Sequence, residues 1–146
     1  MRCVVQRVLK AKVTVEGKIT GDIEKGVLVL VGITHSDTQE TAEWMCDKLL
    51  KLRIFEDHEG KMNRSVTDIS GGILLVSQFT LYGELKKGTR PSFTEAARPE
   101  IAEPLYNEMI NLLKEQENVG IQTGIFGAMM DVELLNSGPV TIILER

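Results

Sequence analysis

The sequence contains one polar segment whose residue types suggest a reactive site. Ser77-Gln78-Phe79-Thr80 follows directly on an apolar run and carries three hydrogen-bonding side chains. Each of them needs a partner or water at the end of a buried strand, and rigid strand ends often carry functional groups. An ordinary strand exit explains the same residues equally well at this level.

A second segment, Asn136-Ser137-Gly138-Pro139, combines small, polar and ring-restricted residues. A β-turn between two strands is its simplest interpretation. Gly leaves the main chain accessible and Pro removes an N–H group. The Gly138-Pro139 pair therefore also suits a place where backbone carbonyls approach a ligand.

A basic loop over residues 86–90 contrasts with the charge of the whole chain. The 146 residues hold 17 Lys and Arg against 21 Asp and Glu, a formal net charge of −4. That balance excludes a general nucleic-acid coat, which needs a broad positive surface. Lys86, Lys87 and Arg90 form a local patch that predicts contact with phosphates, or else a solvated loop.

Other chemistries find little support in the sequence. Four candidate metal ligands occur without paired spacing, so no zinc site is predicted, and no nucleotide-binding glycine motif or GxSxG elbow is present. His35 could serve as a base, but a loop histidine just before a helix explains it better. The candidate ligands are Cys3, His35, Cys46 and His58.

The apolar spacing predicts the elements that must position these segments. Strands are expected over much of residues 1–33, including 13–18 and 26–33, and at 53–55, 72–80, 120–124, 129–135 and 140–144. Helices are expected at 38–52, capped by Asp37 with Glu40, and at 99–116. We therefore predict an α+β fold in a single domain, 1–146, with a largely antiparallel, barrel-like sheet and two main helices.

The composition also bears on the compartment. The longest apolar run, residues 27–31, is far short of the ~20 residues of a membrane span. Gln6 and Arg7 interrupt any signal-peptide core. Two cysteines make no disulfide framework and fit a reducing compartment. A cytoplasmic protein without a membrane partner is the expectation.

Taken together and in order, the motifs resemble the D-aminoacyl-tRNA deacylase family over essentially the whole chain. Ser137 departs from the Asp of many members, which predicts altered local hydrogen bonding. The motifs are Gln6-Arg7-Val8, Val13-Thr14-Val15-Glu16-Gly17, Arg53-Ile54-Phe55, Gly60-Lys61-Met62-Asn63, Ser77-Gln78-Phe79-Thr80-Leu81, Arg90-Pro91-Ser92-Phe93, Thr123-Gly124-Ile125-Phe126 and Asn136-Ser137-Gly138-Pro139-Val140-Thr141.

The resemblance implies a hydrolase that cleaves the ester between a D-amino acid and the 3′ end of tRNA, and also glycine mischarged on tRNA-Ala. It implies a homodimer with active sites at the interface and a cis Gly138–Pro139 bond that reaches into the neighbouring subunit's pocket. No metal or organic cofactor is expected. The implied catalytic residues are Ser77, Gln78, Phe79 and Thr80, the substrate-binding residues Phe126, Met129, Gly138 and Pro139, and the tRNA-binding residues Lys86, Lys87 and Arg90.

The implied mechanism uses the ribose 2′-hydroxyl of the terminal adenosine to help activate water, with the Phe79 N–H near the reacting carbonyl. Thr80 is the older candidate nucleophile, but no adjacent base is identifiable. Rigid carbonyls of Gly138 and Pro139 would reject L side chains by collision. Two alternatives remain: a non-catalytic RNA- or small-ligand-binding oligomer that uses the same pocket, and a general Ser/Thr esterase.

Overall fold

Eight strands and two α-helices make up the part of the chain that the computed structural model describes, residues 1–86 and 88–146. Lys87 lies outside the described residues. The elements are β1 (Arg2–Val15), β2 (Lys18–Ile23), β3 (Gly26–Gly32), α1 (Gln39–Lys51), β4 (Phe55–Glu56), β5 (Met62–Arg64), β6 (Gly72–Ser77), a 3-10 helix (Phe79–Tyr82), α2 (Pro99–Lys114), β7 (Gly120–Thr123) and β8 (Asp131–Glu145).

The main sheet is mixed and nearly closed. The order of its strands is β2-β1-β3-β6-β7. Strands β2 and β3 pair with different stretches of β1, and β8 pairs with the opposite edge of β1. Strand β1 is antiparallel to β2, β3 and β8, whereas β6 is parallel to β3 and β7. Strand β2 returns close to β7, since a Cβ added at Gly21 would lie 2.8 Å from the Thr123 carbonyl oxygen. This confirms the α+β, barrel-like fold with two helices.

Strands β3 and β6 carry two hydrophobic cores, one on each face. Val29, Ile73 and Leu75 pack with the helices, while Leu28 and Leu74 face the barrel interior. Burial on both faces explains why these strands read as continuous apolar runs. The parallel pair thus gives the polar segment after β6 a rigid base.

The cap of α1 lies one residue later than the sequence predicts. Thr38 is the N-cap, and its side chain forms a capping box with Thr41, so the predicted Asp37–Glu40 pair is wrong. Asp37 is buried instead, where it accepts hydrogen bonds from the Met1 amine and from the Thr34 N–H at 2.8 Å. Those two donors occupy the carboxylate that would otherwise cap the helix.

Two strand predictions are also wrong near the candidate site. The strand predicted for 72–80 ends at Ser77 and turns into the 3-10 helix. The strands predicted for 129–135 and 140–144 are one strand, β8, so the Gly138-Pro139 segment is no chain reversal.

Both cysteines are buried and free. Among the described helices, none has the length and apolar character to cross a membrane.

Candidate active site

A cavity of about 770 Å³ opens where β3 and β6 end. It unites six residues that the sequence and the family resemblance single out, drawn from the end of β6, the 3-10 helix and the segment before β8. They are Ser77, Gln78, Phe79, Thr80, Phe126 and Met129. The four polar-segment residues therefore form one edge of a concave site, as a functional strand end requires.

The chain turns at this edge because the parallel ladder stops there. Val31 and Ser77 form the last register pair, and the Gln78 N–H then donates to the Val31 carbonyl at 2.7 Å. The 3-10 helix begins at Phe79, so the N–H of Phe79 belongs to its first turn and has no acceptor within the helix. Phe79 itself lines the cavity, so this main-chain donor belongs to a residue of the cavity edge.

Gly32 allows the 3-10 helix to lie close against β3. A Cβ added at this glycine would lie 3.0 Å from Leu81 Cβ and 3.1 Å from the Tyr82 ring. Arg2, the register partner of Gly32, donates to the Leu81 carbonyl at 2.6 Å and lies 5.0 Å from the Tyr82 ring centroid. The first strand therefore fixes the end of the helix that carries the site.

No activating base accompanies the Thr80 hydroxyl in the hydrogen bonds of the described residues. Thr80 Oγ1 accepts from the Gln78 amide, which cannot take a proton. His35 is exposed, and its Nε2 donates to the Thr94 carbonyl at 3.1 Å rather than lining the cavity. Burial raises the pKa of Tyr82 to about 12, so this phenol stays neutral at physiological pH.

Three phenylalanines, Phe79, Phe93 and Phe126, contribute to the apolar lining of the cavity. Phe79 and Phe93 pack edge to face, with ring centroids 5.0 Å apart. Phe126 lies 5.8 Å from Tyr106, whose buried hydroxyl donates to the Leu75 carbonyl at 2.8 Å. Met129 is 91% exposed at the rim. This wall is well anchored inside and open outside.

One wall was missed by the sequence analysis because its residues carry no chemical signal. Ala96 and Ala97 line the cavity, held by a bond of 2.9 Å from the Ala97 N–H to the Ile33 carbonyl. Thr34 Oγ1 donates to the Glu95 carbonyl at 2.6 Å. Only the tertiary pairing of residues 33–34 with 95–97 makes these alanines part of a site.

Gly138 and Pro139 do not line this cavity in the single chain. Their peptide bond is cis, and both residues are exposed. Asn136 pairs with Val8 and Thr141 with Gln6, so four residues, 137–140, stand opposite the single residue between them on β1. We call residues 137–140 the projection, because they leave the ladder as a large bulge.

Arg7 is the residue opposite the projection, and it is 9% exposed. Its Nε donates to the Ser137 carbonyl at 3.2 Å and its Nη1 to the Ile54 carbonyl at 2.7 Å. Arg7 belongs to the Gln6-Arg7-Val8 motif, to which no site role is predicted from the sequence. An arginine inside an apolar strand pattern was the available signal, since a buried guanidinium needs specific acceptors.

The basic loop lies beside the cavity rim. Backbone bonds of 2.8 and 2.9 Å join Glu84 and Ser92, and Phe93 lines the cavity. Lys86 and Arg90 are exposed, and Lys86 Nζ lies 3.2 Å from Glu84 Oε1. The predicted contact at Lys87 falls outside the described residues. Among the described residues, no three His, Cys, Asp or Glu side chains are placed to hold a metal ion.

Comparison with known proteins gives a consistent result. A family model described as D-Tyr-tRNA(Tyr) deacylase matches residues 4–145. A D-aminoacyl-tRNA deacylase of Exiguobacterium sibiricum is 58% identical over 146 residues, which is all of both chains. One of Chloroherpeton thalassium is 59% identical over 145 residues, 99% of this chain and 95% of that one.

Two solved structures share the fold over nearly the whole chain. One, described as c-Myc DNA Unwinding Element Binding Protein, has a TM-score of 0.92 and 45% identity and covers 100% of this chain and 99% of its own. The other, described as a probable eukaryotic D-amino acid tRNA deacylase, has a TM-score of 0.84 at 18% identity and covers 98% and 97%. The second comparison supports the architecture alone.

Proposed function

The chain belongs to the D-Tyr-tRNA(Tyr) deacylase family and hydrolyses D-aminoacyl-tRNA, and we propose that the cavity at the end of β6 is where the ester is cleaved. The observation that carries this proposal is the convergence of Ser77–Thr80 with Phe126 and Met129 around one cavity. A concave, largely apolar site with a few polar groups suits the 3′-terminal adenosine and its aminoacyl group.

The chemistry asked of the protein is modest, because an aminoacyl ester is already activated. Water adds to the ester carbonyl carbon, and its proton passes through the ribose 2′-hydroxyl to the departing 3′-oxygen. The carbonyl oxygen gains negative charge, which the Phe79 N–H stabilises. The products are the free amino acid and tRNA with an intact 3′-hydroxyl.

The hydroxyl of Thr80 has an orienting role in this proposal. A threonine needs an adjacent base to act as a nucleophile. Its described partner is the side-chain amide of Gln78, which fixes the hydroxyl but cannot accept its proton. Ser77 and Gln78 then hold the substrate's polar groups at the cavity edge.

Handedness is read by exclusion, and the excluding wall comes from a second copy of the chain. The projection lies away from its own cavity and carries exposed main chain at Gly138 and Pro139. Strand β8 has one paired edge within the described chain, and its exposed apolar residues include Leu134, Leu135 and Ile143. A homodimer would cover this surface and bring each projection to the partner's cavity.

A wall of this kind rejects an L side chain but admits a hydrogen atom. Glycyl esters should therefore be hydrolysed, including glycine mischarged on tRNA-Ala, with little dependence on the D side chain. Rejection by a factor of ten thousand corresponds to about 5.5 kcal/mol. Collision with backbone that cannot move supplies this more readily than a missing methylene contact does.

The basic loop supports contact with tRNA phosphates beside the cavity. Lys86 and Arg90 give the chain a local positive surface despite its net charge of −4. The buried thiols of Cys3 and Cys46 favour a reducing compartment, the cytoplasm, where aminoacyl-tRNA is used.

Deacylation of D-Tyr-tRNA, Gly-tRNA and L-Tyr-tRNA, measured side by side, tests the proposal. We expect rapid loss of the first two esters and survival of the third. Glycyl ester that survives as long as the L-ester would contradict a steric wall. Firm tRNA binding without turnover would indicate a non-catalytic binding protein, and hydrolysis of simple D-amino acid esters without ribose would indicate a general esterase.

Subunit mixing tests whether the projection acts in trans. Phe79→Pro removes the cavity donor and keeps the projection, whereas Pro139→Ala alters the projection and keeps the donor. With subunit exchange, excess Phe79→Pro protein should suppress L-ester hydrolysis by Pro139→Ala protein while D-ester hydrolysis persists. A mixture that behaves as the sum of its components would mean that each projection serves its own chain.

A further inference from the structure

The neck of the projection is closed by one side chain. Strand β8 leaves the β1 ladder after Asn136 and returns at Thr141. Asn136 Oδ1 accepts from the Val140 N–H at 3.1 Å, and its Nδ2 donates to Thr141 Oγ1 at 3.1 Å. The amide thus joins the strand that leaves to the strand that returns.

This side chain satisfies a donor that the bulge would otherwise leave unpaired. Pro139 has no N–H, and the N–H of Val140 has no partner on β1 at this register. The bond from Val140 to Asn136 is partly buried, whereas Gly138 and Pro139 are exposed. Asn136 therefore supplies the last hydrogen bond before the main chain becomes free of the ladder.

Gly138 in the projection lies close both to Val140 at its neck and to Arg7, which forms the floor beneath it. A Cβ added at Gly138 would lie 2.8 Å from Arg7 Nη2 and 2.9 Å from Val140 Cγ2. Arg7 holds the floor through the Ser137 carbonyl. Gly138 therefore has no room for a side chain between Arg7 and Val140, and Asn136 and Arg7 hold the same four residues from two sides.

We propose that Asn136 is a positioning residue for chiral selection, which acts by keeping the projection from yielding to an L side chain. This inference rests on the proposed function, in which the projection is the excluding wall. Exclusion depends on stiffness, because a wall that moves at low cost rejects nothing. D-aminoacyl and glycyl esters place no side chain against the projection, so their hydrolysis does not depend on the two hydrogen bonds of Asn136.

The test compares L-, D- and glycyl-ester hydrolysis in Asn136→Ala and Asn136→Asp. Loss of both bonds in Asn136→Ala should raise L-ester hydrolysis about tenfold relative to D-ester hydrolysis, the change expected when one or two net hydrogen bonds are lost. Asn136→Asp should restore the wild-type ratio, because a carboxylate still accepts from Val140 and from the Thr141 hydroxyl. Asn107→Ala, on the exposed side of α2, is the control.

The outcomes separate this inference from the proposed function. A merely structural Asn136 would lower all three rates together, and that result or an unchanged D-to-L ratio in Asn136→Ala overturns the inference. If Pro139→Ala relaxes selectivity while Asn136→Ala does not, the excluding role of the projection is supported and the positioning role of Asn136 is wrong. If neither does, both are wrong. If Asn136→Ala folds poorly, Thr141→Val replaces it in the test, because this variant removes only the bond from Asn136 to Thr141. It should shift the ratio of L-ester to D-ester hydrolysis in the same direction as Asn136→Ala, but by less.

Discussion

The cavity edge, which follows β6, and the projection, which lies on β8, are held in different ways. The edge follows two parallel strands buried on both faces, and the main chain itself anchors it through Gln78 and Val31. The projection stands on exposed backbone, and the side chains of Arg7 and Asn136 anchor it. In the proposed mechanism, packing would support the rate of reaction and side-chain hydrogen bonds its handedness, and mutations should separate the two.

The largest expected effect is on the cavity edge, with Phe79→Pro. Proline fits the first position of a helix but has no N–H, and Gln78 before it is not helical, with φ −146° and ψ 79°. Loss of one oxyanion donor should lower kcat for D- and glycyl esters together by about 10²–10³. Single-turnover deacylation measures it.

Phe79→Ala is the matched control, because it removes the ring and keeps the N–H. It should retain most of the activity. Equal loss in both variants would assign the effect to the ring contact with Phe93 rather than to the main-chain donor.

The scaffold beneath the edge should be almost as sensitive. A Cβ added at Gly26 would lie 1.9 Å from the Gly72 carbonyl oxygen, so Gly26→Ala must push β3 and β6 apart. We expect a loss of about 3 kcal/mol or more in the free energy of unfolding, measured in urea. Gly120→Ala on β7 meets nothing within 4 Å and should be nearly neutral. Equal stability of the two variants would refute tight packing of the parallel pair.

Arg7→Met addresses the floor of the projection. It leaves the Ser137 and Ile54 carbonyls without their donor, which should cost about 1–3 kcal/mol of stability. At temperatures where the variant is folded, L-ester hydrolysis should rise while D-ester hydrolysis persists. Arg53→Met is the control, since exposed Arg53 also donates two hydrogen bonds, both to Asn63. A D-to-L ratio that falls equally in both variants would exclude a specific role for Arg7.

Thr80→Ala should have a small effect. If water is activated through the ribose, kcat should stay within a few-fold of wild type, whereas a 2′-deoxy terminal adenosine should abolish turnover. Single-turnover deacylation measures both effects. Complete loss of activity in a folded Thr80→Ala protein would restore threonine as the nucleophile and remove the orienting role assigned above.

The basic loop should produce the smallest change. Arg90→Ala should reduce the slope of log affinity for tRNA against log salt by about 1. Lys86→Ala should change it less, because Glu84 already lies 3.2 Å from this lysine. Lys114, about 20 Å along α2 from the cavity residue Pro99 at 1.5 Å per residue, provides the control. An unchanged slope for Arg90→Ala would leave the loop without a role in tRNA binding.

The fold class and the cavity edge were predictable because they depend on local pattern. Apolar runs at 26–33 and 72–80 predicted the buried strands, and the polar end of the second run predicted either a functional edge or an ordinary strand exit. The neighbouring alanines, Ala96 and Ala97, could not be found, since their place depends on pairing with residues 33–34. Signals of residue type are local, whereas cavity walls are assembled from distant segments.

The errors have a common physical cause, which is that distant partners override local preference. Asn-Ser-Gly-Pro favours a turn, but pairing with β1 on both sides keeps β8 continuous and turns the segment into a bulge. Asp37 suits a helix cap, but the Met1 amine and the Thr34 N–H recruit it. The family resemblance anticipated the cis bond that composition alone could not.

Strand β1 sets the register of both the strand that leads to the cavity and the strand that carries the projection. One edge meets β3, which fixes the cavity through Val31, and the other meets β8, whose projection rests on Arg7. Deleting a single residue before Arg7 would turn its guanidinium to the opposite side of the sheet and slip both ladders by one step. If the proposed roles hold, the reaction rate and its stereochemical selectivity both depend on the length of this one strand.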